Sequence, residues 1–356
     1  MKRIVHIVGA MYPGGLENFI MNIYRNLNRD EVQFDVIVHS FRDGDYCDEI
    51  RRLGGNVYLA PRKSKHPIKN FFEIKRIIKE NNIKVAVRHS DSSFSVLDLL
   101  AAKLGGAERL IYQSHSSNTK HVWIHKFFRN FMGSIPTDRF ACSDNAGKWM
   151  YGNLDYKVVK NAIDIDRYLF DSEKREKVRK KWNMEDKVVY SHVGIYMPAK
   201  NHKFLIEFFS YIVKKQPNAM LILIGEGELR SEMEAQILSL GIGDNVILTG
   251  VRYDVDELLQ MTDVFLFPSI YEGLPLSIIE AQSAGLKCLI SDVITREVIV
   301  TDLVTQMSLN ESAEKWADKA IELSEEAAMY DRRNTKEEVA NAGYDVKQLA
   351  AWYAKL

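Results

Sequence analysis

The stretch Ala219-Met220-Leu221-Ile222-Leu223-Ile224 decides the fold class, because six apolar residues in a row leave no polar face. A strand of this composition has to be covered on both sides, as in a parallel sheet with helices on each face. Similar runs alternate with stretches of helical period along the chain, which is typical of βαβ units. The predicted strands are 3–8, 33–38, 56–60, 85–87, 109–112, 139–142, 188–193, 219–224, 246–248, 264–267 and 287–290.

The βαβ pattern passes through two cycles, and 356 residues are enough for two domains of ordinary size. Between the cycles lies the charged segment 164–186, which contains little strand signal and is interpreted as the connection. We predict an α/β protein with two doubly wound, Rossmann-like domains that face each other across a cleft. The predicted limits are 1–165 and 166–335, followed by a helix over 336–356 that packs back on the first domain.

Charge is distributed unevenly along the chain, although the formal net charge is zero. Residues 1–165 contain 25 Lys and Arg against 17 Asp and Glu, and the remaining residues contain 23 against 31. An excess of positive charge in one half indicates an anionic partner for that half. A phosphate group, a nucleic acid and an anionic membrane all satisfy this description.

The cysteines and the hydropathy pattern indicate where the protein works. Cys47, Cys142 and Cys288 are too widely separated for a disulfide framework or a cysteine zinc site, which favours a reducing cytoplasm. The apolar run after Met1-Lys2-Arg3 is too short for a signal peptide, and no later segment reaches spanning length. We expect a cytoplasmic protein that is soluble or bound peripherally to a membrane.

The strongest local pattern is FPSIYEGLPLSIIEA, residues 267–281, in which a buried strand leads through a Gly/Pro loop into a helix. Glu272 is expected at the carboxyl end of the strand, and the helix is expected to begin near Pro275. The carboxylate of Glu280 can accept hydrogen bonds from the two vicinal hydroxyls of a ribose. Both acids also have simpler interpretations, as a helix N-terminal charge and as a solvated helix residue. The N–H groups expected to face a ligand belong to Gly273, Leu274 and Leu276.

Gly14 and Gly15 lie between the first predicted strand and the helix that follows it. Glycines in this position let backbone N–H groups approach a phosphate at a helix N-terminus. Their spacing matches neither G-x-G-x-x-G nor a P-loop, so an ordinary turn explains them equally well.

The two acids of the Glu272–Glu280 pair resemble the E-x7-E signature of the family 4 retaining glycosyltransferases, which have the GT-B fold. Within this family, the chain most resembles enzymes of bacterial capsule and exopolysaccharide assembly, and the stretch 291–298 supports this resemblance. The resemblance covers nearly the whole chain. Its other segments are Gly14-Gly15-Leu16-Glu17, Ala141-Cys142-Ser143, Asn161-Ala162-Ile163-Asp164, Gly194 through Lys200-Asn201-His202, Ile224-Gly225-Glu226-Gly227 and Gly250-Val251-Arg252-Tyr253-Asp254-Val255.

The resemblance implies a hexosyltransferase of EC class 2.4 that retains anomeric configuration. It would move a hexose or N-acetylhexosamine from a nucleoside diphosphate sugar, by resemblance a UDP-sugar, to a glycan or polyprenyl-diphosphate-linked acceptor. No metal or other cofactor is expected, because Lys200 and helix N-termini can neutralise the diphosphate. No nucleic-acid partner is implied either. The implied catalytic residues are Glu272, His115 and Lys200. The implied donor-binding residues are Gly14, Gly15, Lys200, Gly225, Arg252, Gly273, Leu274, Pro275, Leu276 and Glu280.

Ile195 departs from the family pattern Gly-Arg-x4-Lys, which here begins at Gly194 and ends at Lys200. Arginine grips a diphosphate bidentately, whereas lysine acts as a point charge. Another cation substitutes, or the donor is held less tightly, or the chain has lost activity. Two alternatives to a transferase stay open: a sugar-nucleotide epimerase of the same fold, and a catalytically degraded subunit that binds a partner transferase, which Ile195 motivates.

Two further patterns resemble metal sites. Asp254 and Asp256 match an Asp-x-Asp motif, but helical residues follow, so Asp254 is expected to cap that helix. His121 and His125 have the i, i+4 spacing of metal ligands. They lie in the basic, aromatic stretch 120–131, which is predicted to contact the inner face of the cell membrane or the acceptor, or to be a partly buried surface helix.

Overall fold

The computed structural model describes residues 1–12, 14–41, 45–116, 118–119, 121–329 and 331–356. The chain forms two compact units, of which the first comprises Met1–Ala162 with Val346–Leu356 and the second comprises Ile163–Asp345. Each unit has one sheet, and the paired strands in both sheets run parallel. The prediction of two parallel-sheet α/β domains is confirmed.

The first unit is a seven-stranded doubly wound domain. Its strands are β1 (Lys2–Ile7), β2 (Val32–Val38), β3 (Val57–Leu59), β4 (Val85–Ser90), β5 (Arg109–Ser114), β6 (Asp138–Ala141) and β7 (Lys157–Val158). Its helices include α1 (Gly15–Arg25), α2 (Cys47–Arg52), α3 (Pro67–Glu80), α4 (Val96–Gly105), α5 (Val122–Arg129) and α6 (Asp144–Tyr151). The strand order β3-β2-β1-β4-β5-β6-β7 reverses between β1 and β4. That pair is the switch point at which folds of this kind bind ligands.

The second unit repeats this plan with six strands. They are β8 (Val188–Val193), β9 (Ala219–Ile224), β10 (Val246–Leu248), β11 (Val264–Phe267), β12 (Lys287–Ser291) and β13 (Val304–Met307). The helices are α7 (Ile165–Tyr168), α8 (Ser172–Trp182), α9 (His202–Lys215), α10 (Arg230–Ser239), α11 (Val255–Met261), α12 (Leu276–Ser283), α13 (Ala313–Ala328) and α14 (Lys336–Asn341). The order β10-β9-β8-β11-β12-β13 has its switch point between β8 and β11.

The apolar run of β9 is buried on both faces of the second sheet. Leu221 and Leu223 belong to the core that lies against α9 and α13. Met220 and Ile222 belong to a separate core that lies against α8 and α11. Helices therefore cover this strand from both sides, which explains why neither of its faces carries a polar residue.

The structure extends or adds several elements that the hydropathy pattern did not predict. Strand β4 continues three residues beyond the predicted end at Val87, through Arg88-His89-Ser90. Strands β7 and β13 are short, lie at sheet edges and are only partly buried, so they lack an apolar run. The segment 164–186, which was predicted to be a connection, contains α8. Arg175 of α8 donates hydrogen bonds to the carbonyl of Gln260, near the end of α11, and to that of Thr262, directly after it.

The predicted helix over 336–356 is two helices. The first, α14, lies in the second unit, and the other, α15 (Val346–Ala354), lies in the first unit. Gly343 between them has a φ of 86°, a left-handed conformation that ends a helix. Helix α15 packs against α1 and buries Tyr353 completely, with the tyrosine hydroxyl donating to Oε1 of Gln113 on β5.

Candidate functional site

The structure divides the predicted site residues between its two units. Gly14, Gly15 and His115 belong to the first unit. The second unit holds Lys200, Gly225, Arg252, Glu272, Gly273, Leu274, Pro275, Leu276 and Glu280.

The loop 272–276 connects β11 to α12, at the carboxyl end of a switch-point strand. Pro275 is the N-cap residue of α12, and no side chain in the described part of the protein caps this helix. Gly273 has open space around it, because a Cβ added there would meet nothing within 4 Å. The first N–H groups of α12 are therefore available to an anion, which the helix dipole also favours.

Lys200 and Glu272 form an ion pair at this switch point. Lys200 ends a short 3-10 turn after β8, and its Nζ lies 2.7 Å from Oε1 of Glu272. The loops that carry the two residues are joined by hydrogen bonds from Ile270 N to the carbonyl of Ala199 and from Asn201 Nδ2 to that of Pro268. A cation and a carboxylate are thus held next to the open end of α12.

Glu280 is held by a tyrosine from α7. The hydroxyl of Tyr168 donates to Oε1 of Glu280 over 2.9 Å. Burial raises the pKa of Glu280, while the Tyr168 hydrogen bond and the nearby Arg167 oppose that rise. Within the described residues Oε2 of Glu280 has no hydrogen-bond partner, so one carboxylate oxygen is fixed and the other is available to a ligand.

Gly225 lies where three glycine-containing chain segments meet at the carboxyl ends of β8, β9 and β10. Its N–H donates to the carbonyl of Gly250, and its φ is 153°. A Cβ on Gly225 would lie 2.0 Å from the carbonyl oxygen of Gly194. Only glycine fits here, and the reason is the close approach of two backbones.

Arg252 does not join Lys200 in the structure. Its Nε donates to Oδ1 of Asp254 over 2.8 Å, Nη2 donates to Oδ2, and its guanidinium lies over the ring of Trp182. Asp254 is the N-cap residue of α11, as the sequence predicted, but its carboxylate bonds Arg252 and makes no capping hydrogen bond. A donor would have to compete with Asp254 for this guanidinium.

Ile195 occupies the position where the family pattern has arginine, and 63% of it is exposed. The next residue, Tyr196, is buried and donates to the carbonyl of Leu223. The loop is therefore anchored by the tyrosine, and its exposed side chain supplies no charge.

Gly14 and Gly15 differ in the space around their Cα atoms. Gly14 is the N-cap residue of α1, and a Cβ there would lie 2.7 Å from Oε2 of Glu17. A Cβ on Gly15 would meet nothing within 4 Å. Burial raises the pKa of Glu17. Because Glu17 lies where a phosphate was predicted, an anion fits at this helix start only if Glu17 is protonated or moves aside.

A cavity of about 580 Å³ opens beside Glu17 at the carboxyl ends of the first strands. Two consecutive basic residues, Arg62 and Lys63, line this cavity. Neither is among the site residues predicted from the sequence. Nζ of Lys63 lies 2.6 Å from Oδ1 of Asp98, and burial lowers the pKa of Lys63 to about 8. The lining consists of Gly9, Ala10, Tyr12, Gly14, Glu17, His39, Ser40, Arg62, Lys63 and Ser64.

His115 is the outer member of a chain of three histidines. Its Nε2 lies 2.9 Å from Nδ1 of His89, and Nε2 of His89 lies 2.8 Å from Nδ1 of His6. Burial lowers the pKa of His115 and that of His6 to about 3. In the described part of the chain, no group of three or more His, Cys, Asp and Glu side chains could hold a metal ion. The three rings bond one another and stay neutral.

Helix α5 carries the basic, aromatic stretch whose first residue, Lys120, lies outside the described residues. Its His125 is buried, stacks on Trp149 and accepts a hydrogen bond from the backbone N–H of Ser93, so it supports the fold. Trp123 and Phe127 are 75% and 61% exposed. Among the described residues there is no helix of the length and apolarity needed to cross a bilayer.

His6, His89 and Tyr168 are not among the site residues predicted from the sequence. A signal for the histidines exists, because β1, β4 and β5 each have a histidine at or next to their carboxyl ends. The hydropathy pattern hides this signal, because it ends β4 at Val87, before the polar residues of the strand. For Tyr168 the sequence offers no comparable signal, since its partner Glu280 is 112 residues away.

Comparison with known proteins identifies related sequences along most of the chain. Residues 13–167 match the family described as Glycosyltransferase Family 4, and residues 174–343 match the one described as Glycosyl transferases group 1. EpsF of Bacillus subtilis, which carries a glycosyltransferase name, is 30% identical over 98% of this chain and 94% of its own length.

Two further proteins are similar over most of their lengths. An Escherichia coli enzyme named UDP-Gal:alpha-D-GlcNAc-diphosphoundecaprenol alpha-1,3-galactosyltransferase is 26% identical, with 82% of this chain and 79% of the enzyme covered. The crystal structure of HepE of Anabaena in complex with UDP is 18% identical, covers both chains completely and has a TM-score of 0.77. At that level of identity, the second comparison establishes a shared fold.

Proposed function

Because this chain belongs to family 4 of the glycosyltransferases, we propose that it transfers a hexose or N-acetylhexosamine from a UDP-sugar to a lipid-linked or glycan acceptor. Retention of anomeric configuration and a place in bacterial capsule or exopolysaccharide assembly are part of the proposal. One observation carries it: the ion pair of Lys200 and Glu272 lies beside the open N-terminus of α12.

The second unit supplies the groups that a nucleoside diphosphate sugar needs. Lys200 and the first amides of α12 offer positive charge to the diphosphate. The free oxygen of Glu280 can accept from the ribose hydroxyls while Tyr168 holds the other oxygen. UDP is favoured because HepE, which has the same fold, is a UDP complex and the Escherichia coli relative is named for a UDP-sugar donor.

The difficult step is departure of the nucleoside diphosphate from a sugar that develops oxocarbenium character. Positive groups aimed at the leaving diphosphate lower this barrier, because negative charge grows there in the transition state. Glu272 is best suited to binding sugar hydroxyls, since a carboxylate 2.7 Å from an ammonium is a weakened nucleophile. We propose that the leaving phosphate assists attack by the acceptor hydroxyl on the same face of the sugar.

The reaction is proposed to need no metal ion, since Lys200 and α12 together take over charge neutralisation of the diphosphate. Transfer measured with excess EDTA is expected to equal transfer with added Mg²⁺ or Mn²⁺. A transfer rate that EDTA abolishes and Mn²⁺ restores would contradict this part of the proposal.

The acceptor is proposed to bind the cavity of the first unit. Arg62 supplies positive charge for a diphosphate, Lys63 adds the part of its charge that Asp98 does not take, and Glu17 can accept from a sugar hydroxyl. With a pKa of about 8, Lys63 remains largely protonated at neutral pH. A polyprenyl-diphosphate-linked sugar fits this charge pattern, and the Escherichia coli relative is named for an acceptor of that kind.

Helix α5 is proposed to bind the cytoplasmic face of the membrane. Trp123 and Phe127 are exposed, and Lys126 and Arg129 supply positive charge on the same short helix. Aromatic and basic residues together are typical of helices that lie in a membrane interface. A lipid-linked acceptor would then be reached at the surface where it resides.

The donor site is tested by calorimetry with UDP. We expect binding by the wild-type protein and a loss of about 10- to 100-fold in Lys200→Met, which removes a charge-assisted contact. Lys214→Met removes an exposed cation from α9 of the same unit and should bind like wild type. Absence of nucleotide binding at about 1 mM would contradict the donor proposal. A donor screen by mass spectrometry, with membrane extract as acceptor, then identifies the sugar.

A further inference from the structure

The three histidines of the first unit form a diagonal ladder across its switch point. In the sheet, His6 on β1 is opposite Val87, two residues before His89 on β4. His89 is opposite Gln113 on β5, two residues before His115. Each step crosses one strand and advances two residues toward the carboxyl end. All three rings therefore lie on one face of the sheet, next to α1 and α15.

Hydrogen bonding couples the protonation of the three rings. A neutral imidazole carries one proton, so a ring that donates from one nitrogen has to accept at the other. Every bond in the chain consequently points the same way, either from His6 toward His115 or from His115 toward His6. Burial keeps all three rings neutral, because it lowers the pKa of His89 well below its ordinary value and that of the other two to about 3.

The surroundings of His6, the innermost of the three histidines, decide between the two directions of hydrogen bonding. Nε2 of His6 is buried and has no hydrogen-bond partner among the described residues. If the bonds ran inward, this nitrogen would carry an unpaired N–H; if they run outward, it carries only a lone pair. Orphaned buried N–H groups are rarer than buried acceptors without a partner. This preference favours the outward direction, from His6 toward His115.

We propose that His6 and His89 are positioning residues that hold His115 in the tautomer with its proton on Nδ1. In this arrangement, Nδ1 of His6 donates to Nε2 of His89, and Nδ1 of His89 donates to Nε2 of His115. The remaining nitrogen of His115 then presents an N–H donor, which no group in the described part of the chain accepts. A hydroxyl oxygen of a bound ligand is the complementary partner.

The same geometry argues against a proton relay through these rings. A relay has to deliver its proton to solvent or to another titratable group, but the chain stops at the buried Nε2 of His6. The ladder therefore fixes the hydrogen-bonding polarity of His115 and does not carry protons away from it. This role extends the proposed transferase function, because it specifies how His115 contacts a ligand.

The inference is tested with protein labelled with ¹⁵N in histidine. Two-bond ¹H–¹⁵N correlation spectra distinguish protonated from unprotonated ring nitrogens, and single-histidine variants assign the signals. In the wild-type protein we expect all three rings to be protonated on Nδ1. A His115 ring protonated on Nε2 would overturn the proposal, and this result is read from the wild-type protein, with the variants serving only for assignment.

Two variants at one position separate a hydrogen-bonding role from a packing role. His89→Phe keeps a ring but removes the donor, so the signals of His115 are expected to average between tautomers. His89→Gln has an amide that can accept from His6 and donate to His115, so Nδ1 of His115 is expected to stay protonated. Tyr353→Phe deletes a hydroxyl from a ring that stacks on His6 and should change nothing. An unchanged His115 spectrum in His89→Phe would contradict the inference.

Kinetics connect the tautomer to the proposed transfer. His89→Phe is expected to lower kcat by about 100-fold, whereas the Kd for UDP stays within about twofold of wild type, and His89→Gln should recover most of the rate. The spectra do not depend on turnover. Failure to find any transfer would refute the proposed function alone, while normal kcat in His89→Phe would refute the link between the ladder and the reaction.

Discussion

Lys200 and Glu272 balance each other electrostatically, and this pairing determines what each can do for a ligand. Their charged atoms lie 2.7 Å apart, and both side chains are largely buried. The ring of Phe267 lies below the ammonium at 4.7 Å. Lys200 can therefore reach a diphosphate only by dividing its charge between that group and Glu272. Neutralising Glu272 should strengthen the attraction between Lys200 and an anion.

Glu272→Gln is accordingly expected to uncouple donor binding from transfer. The variant should bind UDP at least as tightly as wild type, because Lys200 loses its competing partner. Transfer should fall by about 100-fold or more, since contacts to the sugar in the transition state are lost. Calorimetry with UDP and mass spectrometry of the product measure the two effects. Glu234→Gln, at an exposed ion pair with Arg230, is the matched control; wild-type turnover in Glu272→Gln would show that this site is wrong.

Tyr168→Phe tests whether Glu280 acts as a carboxylate. Burial raises the pKa of Glu280 and the Tyr168 hydrogen bond lowers it, so removing the hydroxyl should raise the pKa further. If UDP requires ionised Glu280, its affinity declines as the pH falls, and in the variant the decline should begin at a higher pH. The Kd for UDP is measured between about pH 5 and 8. UDP itself titrates equally in both experiments, so the difference between wild type and Tyr168→Phe reports on the protein. The same pH dependence of the Kd in both would exclude a role for ionised Glu280 in binding UDP.

At the scale of residues, sequence reasoning identified side chains that follow strands but not the contacts that they make. Lys200 and Glu272 were recognisable because short motifs surround them. The pairing of Arg252 with Asp254 was not, because both residues also had plausible separate roles. Tyr168 and the inner histidines were invisible for a different reason: their partners are remote in sequence and adjacent only after the sheets have formed.

Among the elements, α5 offers the clearest test of membrane contact. The double change of Trp123 and Phe127 to Ser removes two exposed aromatic side chains. Burying one such side chain contributes about 1.5–3 kcal/mol, so binding to vesicles that contain anionic lipid should weaken by about tenfold or more. Cosedimentation measures the change. Exposed Leu238 and Met329 of the second unit, both changed to Ser, are the control.

Calorimetry with UDP in solution shows whether the α5 variant has lost membrane binding alone. The α5 variant should bind UDP as wild type does, because the proposed donor site lies in the other unit. Unchanged vesicle binding in the α5 variant would locate the membrane-binding surface elsewhere, or show that there is none.

Elements with a strong period were predictable, whereas short or polar ones were not. The run in β9 predicted its strand correctly because cores on both faces require apolar residues. Strand β7 has two residues and lies at an edge, so its formation depends on its neighbour β6. The end of β4 is polar because its side chains are hydrogen-bonded in the interior: Arg88 pairs with Asp98, and His89 lies between His6 and His115.

For the molecule as a whole, buried histidines predict instability in mild acid. The pKa values of His6 and His115 are lowered to about 3, and those of His39 and His202 to about 4. The unfolded chain binds protons near pH 6.5, and the folded chain does not, so stability falls as the pH drops below that value. Each histidine contributes up to about 1.4 kcal/mol per pH unit.

Urea unfolding followed between about pH 5 and 8 measures this dependence. The midpoint should be constant above about pH 7 and decline below it, and His6→Phe should make the decline shallower by one proton. Equal midpoints at both ends of the range would contradict the expected burial. Glu280, whose pKa is raised, has the opposite sign and reduces the total slope only slightly.

The two-domain plan was predictable because it depends on a pattern that runs through the entire chain. Two cycles of alternating elements imply two doubly wound sheets. The place where the chain passes between units was harder to predict: α8 looks polar in sequence because its role is to hold α11 through Arg175 and Arg179. The final two helices were predicted as one because only the four residues 342–345 separate them, with Gly343 the one left-handed residue among these.

The return of α15 to the first unit has a consequence for synthesis on the ribosome. The second unit is continuous in sequence and can fold as soon as it emerges, but the first unit lacks α15 until Val346–Leu356 has followed. At about 5–20 residues per second, the interval between Ala162 and Val346 lasts about 10–40 s. During that time the sheet face that Tyr353 later covers is exposed on the nascent chain, which makes it a natural substrate for chaperones.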